Sequence, residues 1–399
     1  MTIKMSKLFF AALLTYYGWF QAVFFQIPLM LPLLGAGMIG FILMNALLTG
    51  TDFKKFITFE LAVWVLFALT SLLFGWFVAE NKEYLVRSVS DFIEYLILIF
   101  GIIYISESDG NIDFFVKTFT VFAIICALTT IFAGVEYESG RISMGLADNP
   151  NGLGVNMAIG VCCILYKVDF KKLLLSVAAL GSIILFIYVI LLSGSRKSFL
   201  GVGLIIVYWL AFVAFKDLRD IRAGQKLKGL FLIGAAISAA YLTVYKYFKD
   251  SVLLSRLITL FQSGSDTRTE MYDTALVLFR ENPLAGVGLN NFREVSGFGT
   301  YSHSTYAEAI ACTGVIGSVI YFLPYATMLF RYSKMTISGN ADHSLMKQER
   351  VMLGLFGLML FLGIGIIHFY ELTSSIAFGM IFAFQYVNRK KFSGEGVSR

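Results

Sequence analysis

Apolar runs of bilayer-crossing length alternate with short charged breaks along the whole chain. Bounding each run by its flanking charges predicts twelve spans, roughly 8–26, 30–50, 56–79, 91–107, 113–134, 152–168, 173–194, 198–215, 229–248, 304–330, 351–369 and 371–388. The clearest begins after Lys171 and Lys172: from Leu173 to Ser195 no residue is ionisable, and then Arg196 and Lys197 appear. As a helix this run reaches about 35 Å, so the two basic pairs emerge on opposite faces of a membrane. One break is long, about 55 residues from Phe248 to His303. Within it Val252, Leu253, Leu257, Ile258 and Phe261 recur at helical spacing, as do Tyr272, Ala275, Leu276 and Phe279. Two amphipathic helices lying on the bundle mouth fit that pattern. Pro283, Gly286 and Gly288 then end the second helix and force a turn.

The expected fold is therefore all-α: a polytopic membrane protein of about 12 transmembrane helices, one integral membrane domain over 1–399, with a long extracytoplasmic loop at 249–303. Composition agrees, with 58% hydrophobic residues, 15% charged and a mean hydropathy of +0.76. The net charge of +6 resides in scattered inter-helix segments, which reads as topology signal and argues against nucleic acid. With the N-terminus inside, about 21 of the 32 Lys and Arg fall on inner segments. Lys216, Arg219, Arg222, Lys226 and Lys228 form the densest inner cluster, and Arg389, Lys390 and Lys391 place the C-terminus inside as well. The first apolar run has no small-residue cleavage site after it, so it reads as a retained helix. Cys126, Cys162, Cys163 and Cys312 all lie in apolar runs without metal-ligand spacing and read as small buried hydrophobes.

Against this basic-inside pattern, the outer face carries arginines. Arg141 precedes Asp148-Asn149-Pro150-Asn151-Gly152; Arg196 caps a span; Arg256 and Arg268 lie in the long loop. Guanidinium groups gathered there point to phosphate, which their planar fork grips bidentately; the bland alternative is snorkelling to lipid headgroups. Of three histidines, His343 lies in a polar inner segment and His368 reads as a satisfied interface residue. His303 opens the run Ser304-Thr305-Tyr306-Ala307-Glu308, and an imidazole there suits proton removal from a sugar hydroxyl. Glu308 is placed to orient it, to hold an acceptor hydroxyl or to act as base itself. Gly286-Val287-Gly288 is no nucleotide fingerprint, since it follows a helix and lacks the third glycine. A transporter or flippase needs ionisable groups near the membrane midplane, whereas here the inner runs are nearly uncharged and the ionisable groups sit at one mouth, with Glu60 and Glu94 as exceptions.

Taken together, Arg141 through Asn151-Gly152, Leu192-Ser193-Gly194-Ser195-Arg196, and Arg268 leading to Asn282-Pro283-Leu284-Ala285-Gly286-Val287-Gly288 and then His303 through Glu308 to Gly314 resemble the O-antigen polymerase and O-antigen ligase family. The likeness covers about residues 141–325; the stretch at Arg268 lacks the aromatic-rich start common in that family. It implies a GT-C-like helical membrane fold in the bacterial cytoplasmic membrane and metal-independent, inverting glycosyl transfer without cofactor on its outer side. The donor it implies is an oligosaccharide on undecaprenyl pyrophosphate, with a repeat-unit flippase and a chain-length regulator as partners. Carried over by motif, Arg196 and Arg268 hold the pyrophosphate, Arg141 contributes a positive wall or binds glycan, and His303 activates the attacking hydroxyl; Asn151 joins the substrate-binding set and Glu308 the catalytic one. The polymerase reading stands ahead of ligation onto a lipid A core, because the arginine and histidine motifs are each spaced to a glycine and the long loop is modest.

Overall fold

The computed structural model describes the chain except residues 1, 28, 138, 146–148, 170–171, 215–230, most of 232–250, 264–266, 339–342 and 394–399. The basic cluster from Lys216 to Lys228, Asp148 and most of the expected span 229–248 lie outside the described residues. The remainder is helical. In chain order the helices are α1 (Thr2–Thr15, prolonged by a wider turn over Tyr16–Phe20), α2 (Met30–Thr49), α3 (Phe59–Val78), α4 (Lys82–Asp109) and α5 (Asp113–Ala133). A two-stranded hairpin follows, β1 (Val135–Glu136) against β2 (Ile142–Ser143). Next come α6 (Pro150–Lys167), α7 (Leu173–Ser193), α8 (Arg196–Trp209), α9 (Val252–Ser263) and α10 (Thr267–Glu281). The chain closes with a single turn α11 (Phe292–Val295), then α12 (Thr305–Ser338), α13 (His343–Leu362) and α14 (Leu372–Ser393).

Among the described residues, seven helices are by length and composition able to cross a membrane: α2, α3, α4, α5, α7, α8 and α12. The expected spans 152–168 and 371–388 coincide with α6 and α14, while 351–369 overlaps α13, which ends at Leu362; Asn156, Glu349, Gln385 and Asn388 on these helices are buried. α4 runs through the middle and packs most extensively on α14. The uncharged run at Leu173–Ser193 is a helix as expected, ended by Gly194 in the left-handed conformation (φ 61°). That turn brings Arg196 to the first position of α8. Ion pairs mark the far end of the bundle: Lys7 with Asp109 at 2.7 Å, Lys167 with Asp113, and Arg331 with the buried Glu60 at 2.7 Å. Glu60, one of the two exceptions in the uncharged runs, is thus a carboxylate paired with Arg331, away from the outer-face arginines.

The long loop holds the two expected helices, α9 and α10, but its next segment does more than turn. α12 is interrupted at Gly314 (φ 60°, ψ −162°), a break the hydropathy pattern does not reveal. Residues 283–288 insert there. Val287 N–H donates to Ala311 O and Gly288 N–H to Cys312 O, both at 2.9 Å, while Val315 N–H donates to Pro283 O at 2.8 Å and Ile316 N–H to Leu284 O at 3.3 Å. The loop pairs the groups that the broken helix leaves open, which is how irregular backbone survives at membrane depth. Asn291, fully buried, then locks the loop to the α3–α4 turn: its Oδ1 accepts from Asn81 N–H (2.7 Å) and its Nδ2 donates to Asn81 O (3.1 Å).

Contact is so close that two glycines are obligatory. A Cβ on Gly286 would lie 2.4 Å from the Cys312 carbonyl carbon, and one on Gly314 2.4 Å from that of Leu284. Gly286→Ala combines left-handed strain (φ 66°) with that clash and should cost roughly 2–5 kcal/mol. Gly297→Ala, at φ 79° but with nothing within 4 Å, should cost only about 1 kcal/mol. Thermal unfolding midpoints of the two variants in one detergent check this; equal losses would contradict the insertion.

Candidate functional site

The site end of the bundle is built around the turn from α7 to α8. Gly194 carries no side chain, so the Arg141 side chain passes where a Cβ would stand 3.3 Å from Arg141 Cγ. The β1–β2 hairpin presents Arg141, whose carbonyl accepts from Tyr137 N–H at 2.8 Å. Its Nε donates to Ser193 O at 2.7 Å and its Nη2 to Asn151 Oδ1 at 2.8 Å. Asn151 is brought there by the start of α6, where Asn149 caps the helix through Asn151 N–H and Pro150 opens it. From the long loop α9 crosses the same turn: Arg256 Nη1 donates to Gly194 O (2.6 Å), and Arg196 Nη1 returns a bond to Arg256 O (3.1 Å). Lys197 donates to Ile364 O, as does Tyr272 of α10 at 2.7 Å.

A small cleft results, and Asn151, Ser195, Arg196, Lys197, Arg256 and Arg268 are among the residues that line it. The sequence-predicted Arg196, Arg268 and Asn151 therefore meet, with Arg141 bonded to Asn151 at the edge. Lys197 and Arg256 join them; the sequence showed both on the outer face, but only the fold reveals that α9 folds back over the α7–α8 turn. Burial together with the fields of Arg256, Arg268 and Arg196 lowers the Arg141 pKa to about 10. Like charges at 4 Å repel by about 1–4 kcal/mol in surroundings between bulk water and a protein surface. The fields of Arg256, Arg268 and Arg196 at Arg141 are those of like charges, which an anion would offset.

His303 sits on the loop leading into α12, outside the residues that line this cleft, against Tyr301 and within the fields of Arg268 and Lys197. Its backbone is left-handed (φ 57°), a conformation costing about 1–2 kcal/mol for a side-chain-bearing residue and held only where neighbours enforce it. Tyr301 packs edge-on against the imidazole, ring centroids 4.6 Å apart, and Arg293 lies over the Tyr301 ring. Burial, then the positive fields of Arg268 and Lys197, lower the His303 pKa to about 4. The imidazole is neutral at physiological pH and able to accept a proton, and it feels the same two cations that line the cleft.

Glu308 occupies the first turn of α12 and is fully buried. Its Oε2 accepts from Ser302 N–H at 2.8 Å; its Oε1 accepts from Tyr370 OH at 3.3 Å and lies 3.5 Å from Cys312 Sγ. The carboxylate thus holds the residue preceding His303, and its placement is that of a brace with no surface open to solvent. Thr305 stitches this end to the loop after α13, its N–H donating to Gly363 O and Ile366 O and its Oγ1 to Ile366 O. His368 is saturated by Ser374 Oγ (3.1 Å) and Met359 O (2.7 Å) and stands apart. Glu94 lines an apolar groove between α2, α3 and α4. Among the described residues no three His, Cys, Asp or Glu side chains converge in a way that would hold a metal ion.

Residues 180–322, which include the α7–α8 turn, α9, α10, the inserted loop and His303, match the family model described as O-Antigen ligase. No curated protein matches the chain. This match, over about a third of the chain, supports the O-antigen ligase and polymerase family, whose members are enzymes acting on lipid-linked glycans.

Proposed function

We propose that this protein polymerises undecaprenyl-pyrophosphate-linked oligosaccharide repeat units into surface polysaccharide on the outer side of the bacterial cytoplasmic membrane. The observation that carries the reading is the convergence of Arg141, Arg196, Lys197, Arg256 and Arg268 beside a neutral histidine. A glycan joined to a lipid diphosphate reacts by losing that diphosphate, so negative charge grows on the leaving oxygen. Fixed cations there lower the barrier without metal or nucleotide. The acceptor hydroxyl gives its proton to His303 as its oxygen bonds to the anomeric carbon. The bond from that carbon to the diphosphate oxygen breaks on the opposite face, which inverts the centre. Glu308 serves by holding the His303 loop.

Neutrality has a cost. A histidine with a pKa near 4 is a weak base, and proton transfer works best with a pKa near the working pH. The donor itself corrects this: a diphosphate beside Arg268 and Lys197 offsets the two cations that depress His303 and raises its pKa in the complex. A second reading, ligation of the finished glycan to a lipid A core sugar, is favoured by the description of the matching family; it keeps the donor and changes only the acceptor.

His303→Ala should abolish chain extension by at least about a hundredfold while the protein still inserts. On a surface-glycan gel the variant, like a deletion strain, should leave single repeat units on the carrier. Free long chains would mean ligation instead, and normal chain lengths would remove the base assignment. Arg196→Lys should lower the rate about tenfold or more, since an ammonium lacks the guanidinium fork; an unchanged rate would point to simple interface anchoring. In pH profiles, the acid limb of kcat/KM, which reports free enzyme, should lie near pH 4. The limb of kcat should lie higher, and Arg268→Ala should move the kcat/KM limb upward because a depressing cation is gone. A limb unmoved by Arg268→Ala would separate His303 from the cleft.

A further inference from the structure

One outer arginine lies apart from the cleft. Arg293 follows the inserted loop, and its guanidinium lies over two aromatic rings, 5.1 Å from the Tyr84 centroid and 5.6 Å from that of Tyr301. None of Tyr84, Arg293 and Tyr301 is among the described residues that line the cleft. Among the described residues the buried Arg293 Nε has no hydrogen-bond partner, and no carboxylate forms an ion pair with the guanidinium. A charged donor left unbonded in this way is unfavourable until a ligand completes it.

The stack is held from both sides. Asn81 and Asn291 bond each other at 2.7 and 3.1 Å, and they precede Tyr84 and Arg293 respectively by less than one helical turn. Asn81 Oδ1 also accepts from Tyr84 N–H at 3.2 Å. The two segments that bring ring and guanidinium together are therefore fixed before any ligand arrives, which lowers the ordering cost of binding.

Tyr301 connects this arginine to the chemistry. Its ring meets Arg293 and also packs edge-on against the His303 imidazole, centroids 4.6 Å apart. One aromatic ring thus separates the guanidinium from the base. With the donor's diphosphate in the cleft, the sugar that gives its proton to His303 belongs to the acceptor, and its neighbouring substituents meet the Tyr301 side. Charge decides which substituent suits Arg293. Arg196, Lys197, Arg256 and Arg268 together line the cleft and suit a multiply charged diphosphate. Arg293 offers one positive charge, and at Tyr301 the field of Glu371 opposes its own. That balance matches a single carboxylate, which a guanidinium holds in its plane through two parallel N–H bonds. Aromatic rings over its faces leave that edge as the bonding part.

We propose that Arg293, stacked on Tyr84 and Tyr301, binds a carboxylate on the acceptor's terminal sugars and makes the enzyme selective for repeat units that contain a uronic or other acidic sugar. This deepens, and rests on, the polymerase reading above. The pairing also fixes which hydroxyl faces His303.

The repeat unit can be taken from the cell's carrier lipid. Mild acid cleaves its glycosyl diphosphate and yields a free oligosaccharide that can accept but not donate. Carbodiimide activation and borohydride then convert its carboxyl groups to alcohols. With saturating lipid-linked donor in proteoliposomes, the wild-type KM for the native oligosaccharide should lie about tenfold or more below that for the reduced one. Arg293→Gln should raise the first KM to the level of the second and leave kcat in place with either. Arg293→Lys, which keeps the charge but not the fork, should fall between. A repeat unit without a carboxyl group or equal wild-type KM values would overturn the proposal. So would an equal rise for both acceptors in Arg293→Gln, the mark of an arginine that only props Tyr301. A wild-type protein that extends neither acceptor defeats the polymerase reading itself, and equilibrium binding of the two oligosaccharides to detergent-solubilised protein then decides. Binding that needs the carboxyl groups and is lost in Arg293→Gln supports the site, whereas binding of both or of neither overturns it.

Discussion

An unpaired backbone N–H or C=O among apolar side chains costs several kcal/mol, and the interruption of α12 at Gly314 exposes such groups inside the bundle. Residues 283–288 satisfy them, and the positions of the functional groups follow from that. The inserted loop closes α10, and with it Arg268, against the bundle on one side. On the other it delivers the chain through α11 to Tyr301 and His303. Asn291 pins the same loop to Asn81, so the turn between α3 and α4 is part of the support. The small residues of this stretch are required because backbone meets backbone directly, with Gly286 and Gly314 each seated on the other segment.

Charge is the second organising quantity. At the far end cations are matched by carboxylates, as in Lys7–Asp109 and Arg331–Glu60. At the site end the described bonds of Arg141, Arg196, Lys197 and Arg256 run to backbone carbonyls, Asn151 and the Tyr272 hydroxyl. Carbonyl oxygens orient a guanidinium, and burial, then the fields of Arg256, Arg268 and Arg196, lower the Arg141 pKa. The same field reaches His303. On the proposed reading anion binding and base strength are linked through Arg268 and Lys197: a ligand that offsets their charge also restores basicity to the imidazole. Glu308, buried and bonded to Ser302 N–H, keeps the histidine in its left-handed pose without entering that field from the cleft side.

Much of this was legible in the residues themselves. Uninterrupted apolar runs declare membrane helices because a bilayer tolerates little else, and α7 spans Leu173–Ser193 as its charge-free run requires. The amphipathic spacing in the long loop anticipated α9 and α10. Arginines on the positive-poor side pointed to a shared site, and Arg196, Arg268 and Asn151 do line one cleft. Lys197 and Arg256 were visible as outer cations but carried no signal that set them apart from lipid-facing ones. The Gly314 break left no trace in hydropathy, since glycine within an apolar run reads as continuous helix.

The sequence by itself determined an all-helical membrane protein with its guanidinium groups and one histidine on a common face, because hydropathy and charge are properties of each residue and its near neighbours. The tertiary structure alone decided which cations share a cleft, that Glu308 braces a loop, and that α12 opens to receive residues 283–288. Those outcomes depend on backbone pairing and close approach between segments distant along the chain, which no local pattern encodes.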